Sequence, residues 1–178
     1  METPPLVTRA LALAGSSGIE NSCRPEDGAL LHVLAARRGI SRAAEIGTGA
    51  GVGAAWIVSA LPPQTPFFTA EIDSDRARNA LELYTGDPNV TVLVGPWRRT
   101  LAPEAPFDLL FVAADDAKDD PEATIGLLAP GGTAVLSDFW CDPALPDPRR
   151  EAWLQHPILT TIELWVTCDR RALVSVRR

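Results

Sequence analysis

Lysine is almost absent from this sequence of 178 residues, since Lys118 is the only lysine among 16 basic residues. A P-loop needs the run Gly-Lys-Ser/Thr, but Lys118 lies between Ala117 and Asp119, so that phosphate-binding loop is excluded. A Schiff base to pyridoxal phosphate would have no other lysine to use. Acids outnumber bases by 23 to 16, and the resulting net charge of −7 disfavours phosphate-backbone binding. The sequence therefore predicts no nucleic-acid partner.

Cysteine is also scarce, and long apolar runs are missing. The three cysteines, Cys23, Cys141 and Cys168, form no C-x-x-C pair, so we expect neither a disulfide framework nor a zinc knuckle. No apolar run approaches the roughly 20 residues that cross a bilayer. The first 14 residues resemble neither a signal peptide nor an anchor. We expect a cytoplasmic protein that has no membrane partner.

The composition predicts one globular domain over residues 1–178. Hydrophobic residues make up 46% of the chain and charged residues 22%, which is typical of a globular protein. A domain of this length buries roughly 70% of the surface of its unfolded chain, enough for a core without metal or disulfide bonds. We divide it into an N-terminal helical segment (1–40), a core (41–140) and a C-terminal helix with a hairpin (141–178).

Short apolar runs alternate with helix-like segments from Arg42 onward. This alternation is typical of a parallel sheet with crossover helices. The runs predict five strands, at residues 43–46, 67–72, 90–94, 107–113 and 133–136. The segments between and before them predict helices at residues 24–38, 54–61, 74–84 and 121–128.

The last part of the chain has a different pattern. After a short predicted helix at residues 149–154, two apolar runs at 158–166 and 172–176 are separated by about five residues. So short a gap cannot hold a parallel crossover, so the two runs predict an antiparallel hairpin. The expected class is therefore α/β, with a seven-stranded, mostly parallel sheet that ends in an antiparallel hairpin.

Four glycines, Gly47, Gly49, Gly51 and Gly53, join the first strand to the next helix. Glycines at a helix N-terminus let a ligand approach the backbone closely, which is typical of nucleotide-type cofactors. A nicotinamide dinucleotide is one alternative, because Gly49, Gly51 and Ala54 satisfy the spacing G-x-G-x-x-G/A. Glu71, at the end of the second strand, is placed to accept hydrogen bonds from both ribose hydroxyls of either cofactor.

Five blocks of the sequence together resemble the S-adenosylmethionine-dependent O-methyltransferases related to catechol and caffeoyl-CoA methyltransferases. They lie at residues 24–31, 44–51, 71–73, 107–112 and 127–132. The resemblance implies the Rossmann-like methyltransferase fold and S-adenosylmethionine as cofactor. It implies that residues 21–23 lie over the cofactor carboxylate and that Gly95, Pro96 and Trp97 flank the adenine, where the family usually has Gly-Asp. The full set of implied cofactor-binding residues is Cys23, Glu45, Gly47, Thr48, Gly49, Gly53, Glu71, Ile72, Gly95, Trp97 and Ala113.

The resemblance fails at the positions where the metal-dependent members hold a divalent ion. Those members use a carboxylate after strand four and an Asp-Asn pair after strand five, where this chain has Ala113, Ser137 and Asp138. Asp138 alone is a weak anchor for an ion such as Mg²⁺, so we expect no catalytic metal, although Asp115 or Asp116 could replace a missing ligand.

The leading hypothesis is a metal-independent methyltransferase that acts on a small molecule, with Asp138 and Lys118 as catalytic residues and Trp140 as a wall of the substrate site. The family's lysine position is Asp116 here, and Lys118 follows two residues later. One alternative is a protein that binds the cofactor without transferring methyl groups, acting as a partner or regulator. Another is an NAD-dependent oxidoreductase. The resemblance also implies a homodimer.

Overall fold

The computed structural model describes residues 2–19, 23–140 and 147–178. Its strands, numbered in chain order, are β1 (Ala43–Ile46), β2 (Phe67–Glu71), β3 (Val90–Val94), β4 (Phe107–Val112), β5 (Leu128–Trp140), β6 (Leu159–Trp165) and β7 (Arg170–Arg177). All seven join one sheet in the order β3-β2-β1-β4-β5-β7-β6. Strands β1 to β5 pair in parallel, and β7 runs antiparallel to both β5 and β6. The predicted seven-stranded sheet and its C-terminal hairpin are confirmed.

Helices cover both faces of this sheet. They are α1 (Pro5–Ser16), α2 (Pro25–Ala35), α3 (Val52–Val58), α4 (Ser74–Leu83), α5 (Trp97–Thr100), α6 (Asp115–Lys118), α7 (Pro121–Ile125) and α8 (Pro148–Leu154). Strand β4 shows why both faces need cover: Leu109 and Phe111 lie in the core on one side, and Leu110 and Val112 lie in the core on the other. A strand that is apolar on both faces is typical of a parallel sheet between helical layers.

Asp73 begins α4 as expected, because its carboxylate accepts hydrogen bonds from the amides of Asp75 (2.9 Å) and Arg76 (3.0 Å). Helix α3 is shorter than the predicted 54–61, and it ends at Val58 with Ser59 as its C-cap. The Ser59 hydroxyl donates to the Ala55 carbonyl (2.7 Å) at this end. Leu61 precedes Pro62, and a residue before proline disfavours helical backbone.

The prediction for β5 was wrong in length, since we expected only residues 133–136. Pro130, Gly131 and Gly132 are usual turn residues, but here they lie within the strand, where the register against β4 shifts between Phe107 and Leu109. Gly131 has a φ of 77°, a left-handed conformation that glycine adopts easily, so the strand continues through the register shift. The one-turn helices α5 and α6 were not predicted.

No helix in the described residues is long and apolar enough to span a bilayer.

Candidate active site

A cavity of about 400 Å³ opens at the carboxyl ends of β1, β2 and β4. Open parallel sheets bind ligands at this edge. Seven of the predicted cofactor-binding residues line the cavity: Gly47, Gly49, Glu71, Ile72, Gly95, Trp97 and Ala113. Pro96, which we expected beside the adenine, also lines it, and residues that we did not predict complete the lining: Ile19, Ile46, Ala70, Arg76, Ala114 and Asp116.

The glycine turn between β1 and α3 forms one wall of this cavity. Gly47, Gly49 and Gly51 have φ angles of 92°, 54° and 78°, in the left-handed region that side chains disfavour. A Cβ atom on Gly47 would lie 3.1 Å from the backbone nitrogen of Ala114, so the turn and the end of β4 approach each other closely. The wall is therefore backbone, held in a shape that requires glycine.

Glu71 holds this turn in place. It is buried at the end of β2, where its Oε2 accepts a hydrogen bond from the Gly49 amide (2.8 Å) and its Oε1 accepts one from the Asp73 amide (3.0 Å). Each carboxylate oxygen has further lone pairs, so hydroxyl groups in the cavity can still donate to it. The structure thus gives Glu71 a fixed orientation before any ligand arrives.

Three other predicted residues, Glu45, Thr48 and Gly53, lie behind the turn. The hydroxyl of Thr69 donates to Oε2 of Glu45 (2.7 Å) and is in contact with the Thr48 hydroxyl (2.6 Å). Burial raises the pKa of Glu45 to about 8; Thr69 opposes the rise and the nearby Glu71 carboxylate adds to it. A Cβ on Gly53 would lie 2.5 Å from Oε1 of Glu45. The structure gives these residues a supporting position, and direct contact with a cofactor stays a prediction.

Cys23 borders a separate, smaller pocket of about 240 Å³ with Ile19, Arg24 and Val52. Burial raises the pKa of its thiol well above the usual value, which disfavours the nucleophilic thiolate. Of residues 21–23, to which we assigned a position over the cofactor carboxylate, residues 21 and 22 lie outside the described residues.

At the opposite end of the cavity, Trp97 contacts the loop after β4. Its indole nitrogen donates to Oδ2 of Asp116 (2.8 Å), and Arg98 donates to the same oxygen (3.2 Å). The Arg98 guanidinium also lies 4.3 Å from the centre of the Trp97 ring. Sequence reasoning considered Asp116 only as a stand-in metal ligand or as the family's lysine position, and did not find this contact.

The carboxyl end of β5 carries a cluster of charged residues. Asp138 has a φ of 66° and lies at an irregularity in the pairing of β5 with β7. Its Oδ1 accepts hydrogen bonds from both Arg24 (2.7 Å) and Arg170 (2.9 Å). The Arg170 guanidinium stacks 3.9 Å from the ring centre of Trp140, which is exposed. Asp138 and Trp140, for which we predicted separate roles, thus both contact Arg170.

Lys118 is buried, although its charge has partners. Its Nζ donates to Oδ1 of Asp115 (3.1 Å), which also contacts Arg149 (3.4 Å). The same nitrogen lies 5.6 Å from the centre of the Phe139 ring. The structure therefore places Lys118 next to β5, the strand that carries Asp138.

A family model described as "Protein-L-isoaspartate(D-aspartate) O-methyltransferase (PCMT)" matches residues 26–137, well over half of the chain. The chain belongs to this family of S-adenosylmethionine-dependent O-methyltransferases. That assignment confirms the resemblance on which the cofactor prediction rested, and it decides against the nicotinamide alternative.

The curated relatives include proteins named as O-methyltransferases and proteins named as protein-L-isoaspartate O-methyltransferases. A Mycobacterium ulcerans protein assigned by its name to the O-methyltransferases is 34% identical over 136 residues, covering 69% of this chain and 61% of that protein. The protein-L-isoaspartate O-methyltransferase of Ignicoccus hospitalis is 39% identical over 103 residues, covering 56% and 47%. The chain thus spans about half to three fifths of the length of these two curated relatives.

Solved structures align over almost the whole chain. TomG, an O-methyltransferase from Streptomyces achromogenes solved with S-adenosylmethionine, has a TM-score of 0.80 at 25% identity and covers 99% of this chain and 92% of its own. The O-methyltransferase of Bacillus cereus, solved with S-adenosylhomocysteine, has a TM-score of 0.84 at 20% identity, with coverage of 100% and 93%. The second likeness is evidence for the fold alone.

The residues at the positions where metal-dependent members of the family hold a divalent cation do not fit such an ion here. Ala113 and Ser137 bring no carboxylate, and Asp138 already binds two guanidinium groups. Asp115 and Asp116, the two open replacements, are paired with basic side chains. Within residues 2–19, 23–140 and 147–178, no three His, Cys, Asp or Glu side chains are grouped so that they could hold a metal ion.

Sequence reasoning also missed Asp27, in the first turn of α2. Asp27 is buried, and its Oδ1 has no hydrogen-bond partner in the part of the chain that the structure describes. Burial raises its pKa to about 6; Arg24 opposes the rise, and the Asp138 carboxylate adds to it. Asp27 lies within the block 24–31 that carries the family resemblance, but nothing in the sequence indicates its burial.

Proposed function

We propose that this protein is an S-adenosylmethionine-dependent O-methyltransferase whose acceptor is a small molecule. The observation that carries the proposal is the pairing of the glycine turn with Glu71 at the edge of the cavity. A backbone wall that only glycine permits, joined to a fixed carboxylate, fits a ligand that combines an amino-acid tail with a ribose. TomG, which matches at 25% identity, was solved with this cofactor.

The described residues then have distinct roles. Gly47 and Gly49 hold the tail of the cofactor by their backbone, and Glu71 accepts hydrogen bonds from its ribose hydroxyls. Ile72 lines the cavity although 73% of it is exposed, and an apolar side chain so placed suits the face of a base. The bound cofactor supplies an electrophilic methyl group on sulfur.

On the acceptor side, we propose that catalysis rests on positioning and exclusion of water, without a metal ion. We assign Asp138 to this side, as a carboxylate that is half exposed between its two arginines. Lys118 acts through its ion pair with Asp115. Trp140 forms an apolar wall for the acceptor. Such a site suits an acceptor oxygen that ionises readily, for example a phenol.

A second candidate is the methylation of isoaspartyl residues in proteins, which the description of the matching family model favours. That match ends at Ser137, so it covers the cofactor half and leaves out the charged cluster and the hairpin after it. The structural match to TomG, which is involved in tomaymycin synthesis, extends over 99% of the chain. We therefore rank a small-molecule acceptor above an isoaspartyl residue.

The test combines binding with turnover. Calorimetry measures S-adenosylhomocysteine affinity, and formation of S-adenosylhomocysteine from S-adenosylmethionine is followed with phenols, carboxylic acids and an isoaspartyl peptide. Turnover with a phenol or another small hydroxyl compound supports the proposal, and turnover with the peptide alone favours the second candidate. Binding without any turnover favours a partner or regulator that binds the cofactor. Absence of binding refutes the cofactor assignment.

Metal independence has its own test: turnover should persist in EDTA and should not rise with added Mg²⁺.

The proposal treats residues 1–178 as one methyltransferase domain, since every described strand joins one sheet. The absence of a nucleic-acid partner and the homodimer stay predictions, which a gel-shift assay and analytical ultracentrifugation can check.

A further inference from the structure

The end of the cavity nearest Trp97 has few groups that can accept a hydrogen bond. The loop after β3 brings Gly95 and Pro96 to the lining, and neither has a polar side chain. Arg76 and the indole of Trp97 are donors only. Of the two carboxylates that line the cavity, Glu71 belongs to the glycine turn, where it accepts from the Gly49 and Asp73 amides. Asp116 is the other.

Asp116 is held in one orientation. Its Oδ2 accepts from the Trp97 indole (2.8 Å) and from Arg98 (3.2 Å), which leaves Oδ1 without a contact to either of these side chains. Arg98 in turn stacks on Trp97 and bonds to Asp120 (3.0 Å). These contacts tie the loop after β3 to the loop after β4 and fix a carboxylate at the cavity wall.

The chemistry of a purine edge decides what such a carboxylate can recognise. An adenine presents an exocyclic amino group, which donates hydrogen bonds, whereas a hypoxanthine presents a carbonyl oxygen at the same position. A carboxylate only accepts. It therefore attracts the amino group and repels the carbonyl, and a side chain already fixed by two donors loses little entropy when it binds.

We propose that Asp116 is the residue that selects the amino-bearing base of the cofactor, with Trp97 and Arg98 as the residues that position its carboxylate. This inference rests on the proposed function, because it concerns the base of the same cofactor. The loop after β3 has Pro96 where the family usually has an aspartate. Asp116, in the loop after β4, supplies the hydrogen-bond acceptor instead. Asp116 is thus a specificity residue for binding and takes no part in methyl transfer.

The experiment measures a ratio of two affinities by calorimetry, with S-adenosylhomocysteine and its hypoxanthine analogue as probes. Because Asp116 is largely exposed, we expect the wild type to prefer adenine by about 10-fold, the lower end for a hydrogen bond to a charged group. The Asp116→Asn variant can turn its amide to donate to the hypoxanthine carbonyl. In that variant the ratio should fall to about 1 or invert.

A matched control is Asp120→Asn. Asp120 pairs with the same arginine but does not line the cavity, and asparagine preserves its role as the N-cap of α7. Its preference for adenine should equal that of the wild type. A second variant, Trp97→Phe, keeps an aromatic ring but removes the indole donor, and it should reduce the preference without inverting it.

The outcomes separate this inference from the function on which it rests. The inference is wrong if the wild type binds both probes equally, or if Asp116→Asn keeps the wild-type ratio of affinities. Asp116 then only joins the loop after β4 to the loop after β3. If the wild type binds neither probe, the proposed cofactor is wrong and the inference is overturned with it. Should Asp116→Asn fail to fold, Trp97→Phe decides: an unchanged ratio overturns the inference.

Discussion

The proposed cofactor side and the proposed acceptor side of the site use different kinds of contact. Around the glycine turn, the polar contacts come from backbone amides and from Glu71, and the turn keeps its shape because side chains disfavour its φ angles. Around Asp138, the contacts are ion pairs between side chains, from Arg24 in front of α2 and Arg170 at the start of β7. The first arrangement is steric and the second is electrostatic.

This difference predicts where the molecule tolerates change. A steric site fails when atoms are added, since a close-packed interior cannot make room for them. An electrostatic cluster with exposed members loses little when one charge is removed, because water and the remaining partners compensate. The predictions that follow probe one side against the other.

The largest effect is expected for Gly53→Ala. The new Cβ would lie 2.5 Å from Oε1 of Glu45 and 2.6 Å from Cε1 of Phe111, both of them buried side chains. Overpacking of this kind costs about 1 to 3 kcal/mol, so the urea midpoint should drop and cofactor affinity should weaken with it. Gly15→Ala is the control, because a Cβ in α1 meets open space and should stabilise by up to about 1 kcal/mol. Equal midpoints for the two variants would contradict the steric description.

Next in size is the effect of Glu71→Gln on affinity. Glutamine keeps one acceptor oxygen but replaces the other with a donor, which then faces the amide of Gly49 or Asp73. We expect S-adenosylhomocysteine to bind about 10- to 100-fold more weakly, the range for losing one or two hydrogen bonds to a charged group. Asp138→Asn, on the acceptor side, should change the same affinity by less than about 3-fold. A comparable loss in both variants would show that the two sides are not separate.

A third prediction concerns the pH dependence of stability. Because burial raises the pKa of Glu45 from 4.5 to about 8, the folded state holds a proton there that the unfolded chain releases. Its contribution to stability is complete below about pH 4.5 and is lost as the pH rises through about 8. Glu45→Gln should flatten this decline, so that the variant gains on the wild type between pH 5 and 9 by thermal unfolding, roughly a few kcal/mol at most. Parallel curves for the two proteins would contradict the assignment.

The smallest effect is expected for Lys118→Met. The side chain of Lys118 is buried while that of its partner Asp115 is exposed, so the pair combines a desolvation cost with a weak attraction. Methionine preserves most of the volume and the contact with Phe139. The free energy of unfolding should change by less than about 1 kcal/mol in urea titrations. A loss as large as that of Gly53→Ala would mean that the lysine charge organises the acceptor side.

The same contrast explains which features could be predicted from the sequence. The glycine turn and Glu71 lie within one strand-helix-strand unit, so local spacing was enough to find them. The strands of the sheet were found because apolar runs alternate with helical segments, although β5 was predicted too short, since Pro130 and the two glycines after it are usual turn residues.

The acceptor side could not be predicted in the same way. Arg24 and Asp138 are separated by 114 residues, and Arg170 follows 32 residues after Asp138, so no local pattern joins them. The contact of Trp97 with Asp116 depends on how two loops approach each other, and the orphaned oxygen of Asp27 depends on burial. These are properties of packing, which a linear motif does not contain.

The hydroxyl of Tyr84 donates to the carbonyl of Gly51 (2.6 Å), and Arg9 donates to the carbonyl of Leu83 beside it (2.8 Å). Tyr84, which binds the glycine turn between β1 and α3, is therefore synthesised 33 residues after Gly51. A nascent chain that ends before β2 and α4 lacks the partners of Gly47, Gly49 and Gly51. The turn can therefore take its final shape only after residue 84 has been synthesised and α4 has docked.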